Sequence, residues 1–366
     1  MVLKLVIKSL ELKNYRNYDK LSIEPSSGTN IFYGDNAQGK TNILEAVYVC
    51  ATTKSHRSSK DKELIRFGAE DAHICMQVER NHVLHKIDMH LKRNKVKGVA
   101  VDGIVIKKYA QLFGVVNVVL FSPEDLGIIK NGPAQRRRFV DMELCQLNKL
   151  YMHYLTNYNK VVVQRNNLLK QIGFDSTLRE TMDIWDAQLV RFGKELMRER
   201  KKFIEELGQI VSEIHSKLSG GREVLKICYE PNVSEQALEM KLLERRDYDI
   251  KMKTTSVGPH RDDISFEING IDIRRFGSQG QQRTAALSLK LAEIELVRRI
   301  IHDQPVLLLD DVLSELDSYR QNYLLDSIEN IQTWITCTGL DDFISHQFQI
   351  NKVFQVVQGN VLQPEQ

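Results

Sequence analysis

Residues 34–41 read Gly-Asp-Asn-Ala-Gln-Gly-Lys-Thr. Glycine stands first and sixth, and lysine and threonine close the octet. A chain carrying this pattern must leave a strand, turn tightly around an anion and enter a helix. The flanks agree. Residues 29–33, Thr-Asn-Ile-Phe-Tyr, read as a strand, and Ile43, Leu44, Val47 and Tyr48 recur at helical spacing. A loop of this kind wraps a triphosphate in backbone N–H groups, and the helix behind it turns its positive end to the same charge. Lys40 would set a point charge against the β- and γ-phosphates. The Thr41 hydroxyl would ligate Mg²⁺, which takes hard oxygen donors. Gly34, Asp35, Asn36, Ala37, Gln38, Gly39, Lys40 and Thr41 are therefore the expected ATP-binding residues.

Residues 306–311, Val-Leu-Leu-Leu-Asp-Asp, supply the natural complement. Four apolar residues make a buried parallel strand, and ligands gather at the C-terminal ends of such strands. Asp310 is expected to join Thr41 in the metal shell. Asp311 is expected to orient the attacking water, which makes Asp311 and Lys40 the catalytic candidates. Upstream, Ser278-Gln279-Gly280-Gln281-Gln282-Arg283 opens a helix with small polar residues. That is either a second anion site or an ordinary N-cap by Ser278. Downstream, Ser314-Glu315-Leu316-Asp317 reads locally as a capping box, with Ser314 as the cap.

At 366 residues the chain has room for two or three structural units, and a 42% hydrophobic, 27% charged composition is that of a globular protein. No apolar run reaches the ~20 residues that span a bilayer, so no membrane partner is expected. The first residues do not resemble a secretory leader. Five scattered cysteines, none in a C-x-x-C pair, argue against a disulfide framework or zinc site and for a reducing cytoplasm. Net charge is only +3, but residues 130–202 carry 15 Lys and Arg against 8 Asp and Glu, an excess of 7. Basic runs at residues 92–97 and 54–60 add to it, and together they suggest a polyanionic partner. Arg57 and Lys60 are the expected contacts to a DNA backbone. His82, His85 and His90 are scattered over two strand faces and read as hairpin residues, not metal ligands.

The pattern along the chain is α/β, split by a helical stretch. Strands are expected around residues 5–12, 20–24, 74–78, 86–91 and 115–121, with Asp102-Gly103 turning a hairpin. Residues 135–163 and 181–218 read as long amphipathic helices with a break at 166–176. A second hairpin turns at Asn269-Gly270, followed by a helix over 281–301 and a buried strand over 334–338. This predicts an N-terminal lobe over residues 1–106, a mainly helical insertion over 107–222 and a C-terminal lobe over 223–360. The two outer lobes share one α/β domain.

Taken together, the phosphate loop, the S-x-G-Q element, the Asp-Asp strand and the S-E-L-D element follow the order seen in ABC-type ATPases. Their spacing resembles an SMC/Rad50-like head more than a transporter subunit. Finer marks are similar to the RecF family of bacterial recombination-repair ATPases. They are residues 12–18 (Leu-Lys-Asn-Tyr-Arg-Asn-Tyr), 53–57 (Thr-Lys-Ser-His-Arg), 121–126 (Phe-Ser-Pro-Glu-Asp-Leu), 133–141 (Pro-Ala-Gln-Arg-Arg-Arg-Phe-Val-Asp) and 258–263 (Gly-Pro-His-Arg-Asp-Asp). The resemblance covers residues 5–358. It implies an ATP-dependent homodimer in which two heads enclose two ATPs. Arg16 and Asn17 would join the nucleotide contacts. Ser278, Gly280 and Gln281 of one chain would reach ATP held by the other, and Ser314 and Asp317 would line the seam. It further implies DNA binding on engagement, release on hydrolysis, and RecR- and RecO-type mediators as partners. Some features depart from the class. Ser122-Pro123 occupies the place of the usual Gln, Asp311 that of the usual Glu, and Gly339 that of the switch His. The shorter Asp311 implies slow turnover. A transporter ATPase subunit and a scaffold with a vestigial site are the alternatives. The long insertion counts against the first, and intact Lys40, Thr41, Asp310 and Asp311 count against the second.

Overall fold

The computed structural model describes residues 5–58, 60–340 and 349–363. The chain divides into two compact units, one formed by residues 1–125 with 293–366 and the other by residues 126–292. The expected boundaries at 106/107 and 222/223 lie elsewhere. Residues 118–121 complete a sheet of the first unit, and the strands at residues 225–230 and 263–268 pack on the helices of the second.

The first unit opens with β1 (Val6–Tyr15), β2 (Tyr18–Ile23), β3 (Thr29–Tyr33) and α1 (Lys40–Thr52). There follow β4 (Asp71–Arg80), β5 (Val83–Lys92), β6 (Lys95–Val101), β7 (Ile104–Val105) and β8 (Val118–Phe121). An antiparallel sheet runs in the order β2-β1-β4-β5-β6-β7. In it Val83–Lys92 alternates outward polar residues with buried Ile87, Met89 and Leu91, as a sheet with one wet face requires.

The second unit contains α2 (Leu126–Lys130), α3 (Pro133–Leu147), α4 (Lys149–Ile172) and α5 (Met182–Leu218). Next come β9 (Leu225–Glu230), α6 (Leu238–Glu244), α7 (Arg246–Met252), β10 (Asp263–Ile268), β11 (Ile271–Asp272) and α8 (Ile273–Phe276). The expected helix over 135–163 is two helices. The Asn148 side chain accepts from the N–H groups of Leu150 and Tyr151 at 2.9 and 3.1 Å and so caps a new helix. That helix then runs through the expected break at residue 166 to Ile172. Part of the basic excess proves internal. Arg136, Arg165 and Arg200 are buried. They pair with Asp263 at 2.6 Å, with Asp186 and Asp249 at 2.6 and 2.7 Å, and with Asp141 at 2.8 Å, respectively. These arginines pin helices and strands together and offer no charge to a partner.

The helix α9 (Gln279–Ile301) leads back into the first unit, followed by β12 (Val306–Asp310), α10 (Ser318–Ser327), β13 (Thr333–Cys337), β14 (Lys352–Val357) and β15 (Asn360–Leu362). These strands build a second sheet in the order β15-β14-β3-β13-β12-β8. Its five strands from β14 to β8 are parallel. One apolar core joins α1 to both sheets, with Phe32 stacked between Trp334 and Phe354 at 5.3 and 4.8 Å. The parallel register brings Tyr33, Cys337, Thr336 and Asp310 to one edge of the sheet. No helix among the described residues is long and apolar enough to cross a membrane.

Candidate functional site

The loop 34–39 leaves β3 at that edge and enters α1 at Lys40. Its glycines have steric work to do. Gly34 sits at φ 149°, and a Cβ there would stand 2.4 Å from the Val356 carbonyl oxygen. Gly39 sits at φ 114°, where a Cβ would lie 2.4 Å from the Asn17 side chain. The ammonium of Lys40 donates to the carbonyls of Gly34 and Asp35, so it closes over the loop's mouth. Burial pulls the Lys40 pKa below its usual value, opposed by Asp311, Cys337, Asp310 and Asp35 around it.

Across the sheet, Thr41 donates to Asp310 Oδ1 at 2.8 Å, and Thr336 donates to the same oxygen at 2.7 Å. Burial pushes the Asp310 carboxyl above the usual range, with Glu124 adding to the rise. The two hydroxyls and the charge of Arg57 oppose it. A buried carboxylate beside a threonine hydroxyl, with only neutral donors bonded to it, fits a hard divalent cation such as Mg²⁺. Asp311 follows at φ 52°, a left-handed conformation in which its N–H meets Thr336 Oγ1 at 3.0 Å. Ser314 donates to the Asp311 carbonyl at 2.9 Å. An open cavity of about 130 Å³ lies here, lined by Asp311, Ser314, Cys337 and Gly339 among others. Among the described residues no cluster of three or more His, Cys, Asp or Glu could hold a metal. His85 bonds Asp102 at 2.9 Å and His90 stacks on His73.

The expected capping box at 314–317 is not formed. The helix begins at Ser318, and Asp317 caps it by accepting from the Arg320 N–H at 3.0 Å. Ser314 is left exposed, facing Asp311.

Arg16 does not reach toward the loop. Its guanidinium holds buried Glu45 of α1 at 2.7 and 2.6 Å and the Glu63 carbonyl at 2.8 Å. A fully buried carboxylate must be paired, and Arg16 is its cation. Burial pushes the Glu45 carboxyl up, but hydrogen bonds from Arg16 and Ser55, together with the charges of Arg16 and His56, outweigh it and keep Glu45 below the usual carboxylate range. Asn17 braces the loop instead. Its Nδ2 donates to the Gln38 carbonyl at 2.9 Å, and its Oδ1 accepts from Asn42 at 2.8 Å. Arg57 donates to the Asn42 Oδ1 at 3.1 Å, which sets it beside the loop, while Lys60 is exposed. The turn after β14 clamps the far side, where the Gln358 N–H donates to Gln38 Oε1 at 2.6 Å.

In the second unit, Ser278 and Gln281 bond reciprocally. Ser278 Oγ accepts from the Gln281 N–H at 3.2 Å, and Gln281 Oε1 accepts from the Ser278 N–H at 2.9 Å. This is the N-cap reading realised in full, and it commits Gln281 within the chain. The Ser278 hydroxyl and Gly280 stay exposed at the helix start. His260, Arg261, Asp262 and Asp263 are structural. His260 meets the Tyr158 hydroxyl at 2.7 Å and the Thr255 carbonyl at 3.0 Å, and Asp262 takes the Asn232 N–H at 2.8 Å. Sequence reasoning missed Asn42 and Glu45, just past the loop on α1, and Thr336 and the Gln358 turn, which support it from a distance in sequence.

The family model for the RecF/RecN/SMC N-terminal domain matches residues 6–360. The DNA replication and repair protein RecF of Lachnoclostridium phytofermentans is 61% identical over 98% of this chain and 99% of its own. This chain belongs to the RecF family. The RecF of Clostridium perfringens is 46% identical over 97% of this chain and 99% of its own. Among solved structures, the recombination mediator protein RecF with ATP, of the RecFOR pathway, superposes with a TM-score of 0.93. It shares 35% identity and covers 99% of this chain and 98% of its own. The Smc head of Pyrococcus furiosus superposes at 0.57 with 17% identity over 98% of this chain and 96% of its own, which shows a shared fold. RecF-family membership sets aside the transporter reading.

Proposed function

We propose that this chain is an ATP-controlled DNA-binding protein of replication and recombinational repair. The observation that carries the reading is the Thr41–Asp310 bond at 2.8 Å, which joins loop and strand 269 residues apart at one sheet edge. Its support is the likeness to RecF with bound ATP. Residues 34–41 take the triphosphate, with Lys40 moving from the loop carbonyls to the phosphates. Thr41 and Asp310 hold Mg²⁺, which neutralises phosphate charge when bound. Asp311, its backbone fixed by Thr336, orients the water for slow hydrolysis.

ATP joins two copies. Ser278 and Gly280 of one, set by Gln281, meet the nucleotide of the other, and Ser314 and Asp317 lie along the seam. Asn17 braces the loop that holds the nucleotide, and Arg16 stiffens its helix. The joined pair holds DNA through phosphate contacts that include Arg57 and Lys60, in the cytoplasm, and works with RecR- and RecO-type mediators in recombinase loading and the SOS response. The test is dimer assembly and DNA binding with and without ATP, for the wild type and Ser278→Arg. ATP-dependent assembly that Ser278→Arg abolishes supports the reading. Assembly and DNA binding indifferent to ATP would overturn it, as would full ATP binding by Lys40→Ala.

A further inference from the structure

The first turn of α9 is held from behind by a chain of side chains that, beyond Gln281, the nucleotide reading does not use. Gln281 Nε2 donates to Glu223 Oε1 at 2.9 Å. The other oxygen of Glu223 stands 3.0 Å from His215 Nε2. His215 lies in the last turn of α5 and is fully buried. Its Nδ1 lies 3.0 Å from Ser288 Oγ, and Ser288 donates to the Thr284 carbonyl at 2.7 Å. Thr284 donates to the Gly280 carbonyl at 2.8 Å, which returns the chain to the S-x-G-Q element. Every member belongs to the second unit.

The chemistry of the amide explains why such a chain is needed. A glutamine end group has one acceptor and one donor face of nearly equal shape. Only the acceptor face can take the Ser278 N–H and complete the reciprocal cap. A carboxylate is acceptor-only when ionised, so Glu223 binds the NH₂ face and no other. It thereby fixes which way round Gln281 sits. With the cap formed, Ser278 Oγ has accepted one hydrogen bond and keeps its own proton to donate outward. Glu223 is not filling a core, because 23% of its side chain is exposed. His215 holds the carboxylate in place from the end of the 37-residue helix α5.

We infer that Glu223, seated by His215, is a positioning residue for Ser278 and Gly280, orienting them toward the triphosphate held by a second copy of this chain. The inference rests on the two-copy reading above. It also makes the end of α5 a support of the element that closes the partner's site.

The test uses the full chain and ATP. Two quantities are read for each variant: the ATP-driven dimerisation constant by sedimentation, and ATP affinity at protein concentrations where only monomer exists. Glu223→Ala should weaken dimerisation about a hundredfold, roughly tenfold for each of the dimer's two sites, the loss at each of one hydrogen bond to a charged group. Monomer affinity should stay within about twofold, since the loop lies in the first unit. Glu223→Gln should restore dimerisation, because its carbonyl can accept from Gln281 while its amide donates to a neutral His215 ring. Gln281→Ala should weaken dimerisation similarly, and adding Glu223→Ala to it should cost nothing further. If Glu223→Ala dimerises as wild type while Ser278→Arg does not, the inference is wrong and the two-copy reading survives. An equal fall in dimerisation and monomer affinity, unrestored by Glu223→Gln, marks a general structural role and overturns it too. Normal dimerisation of Ser278→Arg overturns both.

Discussion

Thr336→Val removes one oxygen and keeps the volume of a fully buried side chain, so it isolates a single electrostatic link. Thr336 Oγ1 donates to Asp310 Oδ1 at 2.7 Å and accepts the Asp311 N–H at 3.0 Å. The Asp311 N–H retains the Thr336 carbonyl at 3.3 Å, so the larger loss falls on the carboxylate. A hydrogen bond to a charged group is worth about 1.5–3 kcal/mol. At about 1.4 kcal/mol per pKa unit, the Asp310 pKa should rise by roughly one to two units. Burial already holds that pKa above the usual range, so the further rise moves it toward neutrality. In the function proposed above, protons and Mg²⁺ would compete for the same oxygen. Metal-dependent ATP affinity should therefore be near wild type at alkaline pH and fall as pH drops, with the profile displaced upward by roughly one to two units. The assay is titration of a fluorescent ATP analogue with Mg²⁺ across pH, for both proteins. An undisplaced profile would refute the reasoning. So would a loss of equal size at every pH, which would mean Thr336 acts through geometry alone.

Glu45→Ala should cost about 3 kcal/mol in urea unfolding, because it strands the half-buried Arg16 and frees Ser55; Glu45→Gln should cost less, and equal losses would count against the ion-pair account. His260 is held neutral by burial, its pKa lowered from 6.5 to about 4. Its folded pKa is depressed, so the unfolded chain takes the proton first. Stability should be complete above pH 6.5 and decline as pH falls toward 4, by at most about 3 kcal/mol; His260→Gln should flatten that slope, and an unchanged slope would assign it to another group. Lys60→Ala should reduce the slope of log DNA affinity against log salt by about 0.9, the signature of one lost phosphate contact, whereas an unchanged slope removes Lys60 from the interface.

The parts of the site that chemistry fixes locally were readable from the chain. A phosphate loop needs its glycines at set positions, and an apolar strand before Asp310 and Asp311 needs burial. The Ser278–Gln281 cap was readable for the same reason, since its two partners lie three residues apart. Features made by distant partners were not. Nothing near Arg16 announces Glu45, which helix α1 brings against the β1–β2 turn, and nothing near Thr336 announces Asp310, which sheet register sets beside it. Arg136, Arg165 and Arg200 looked like surface charge because their aspartates lie 21 to 127 residues away. Asn148 was read through as helix because an Asn that caps and an Asn that faces solvent look alike in a periodic pattern.

The parallel sheet has a consequence for how the chain comes into being. The antiparallel sheet can close once residue 105 is made, since all its strands precede that point. β3 cannot, because both its neighbours, β13 and β14, lie some 300 residues on. During synthesis at about 5–20 residues per second, its two hydrogen-bonding edges wait roughly 15 to 60 seconds for partners. A ribosome that stalls inside the insertion therefore yields a product with a complete phosphate loop in sequence and no functional one in space. Such a fragment carries an apolar strand open on both edges, the kind of surface that chaperones hold and proteases clear.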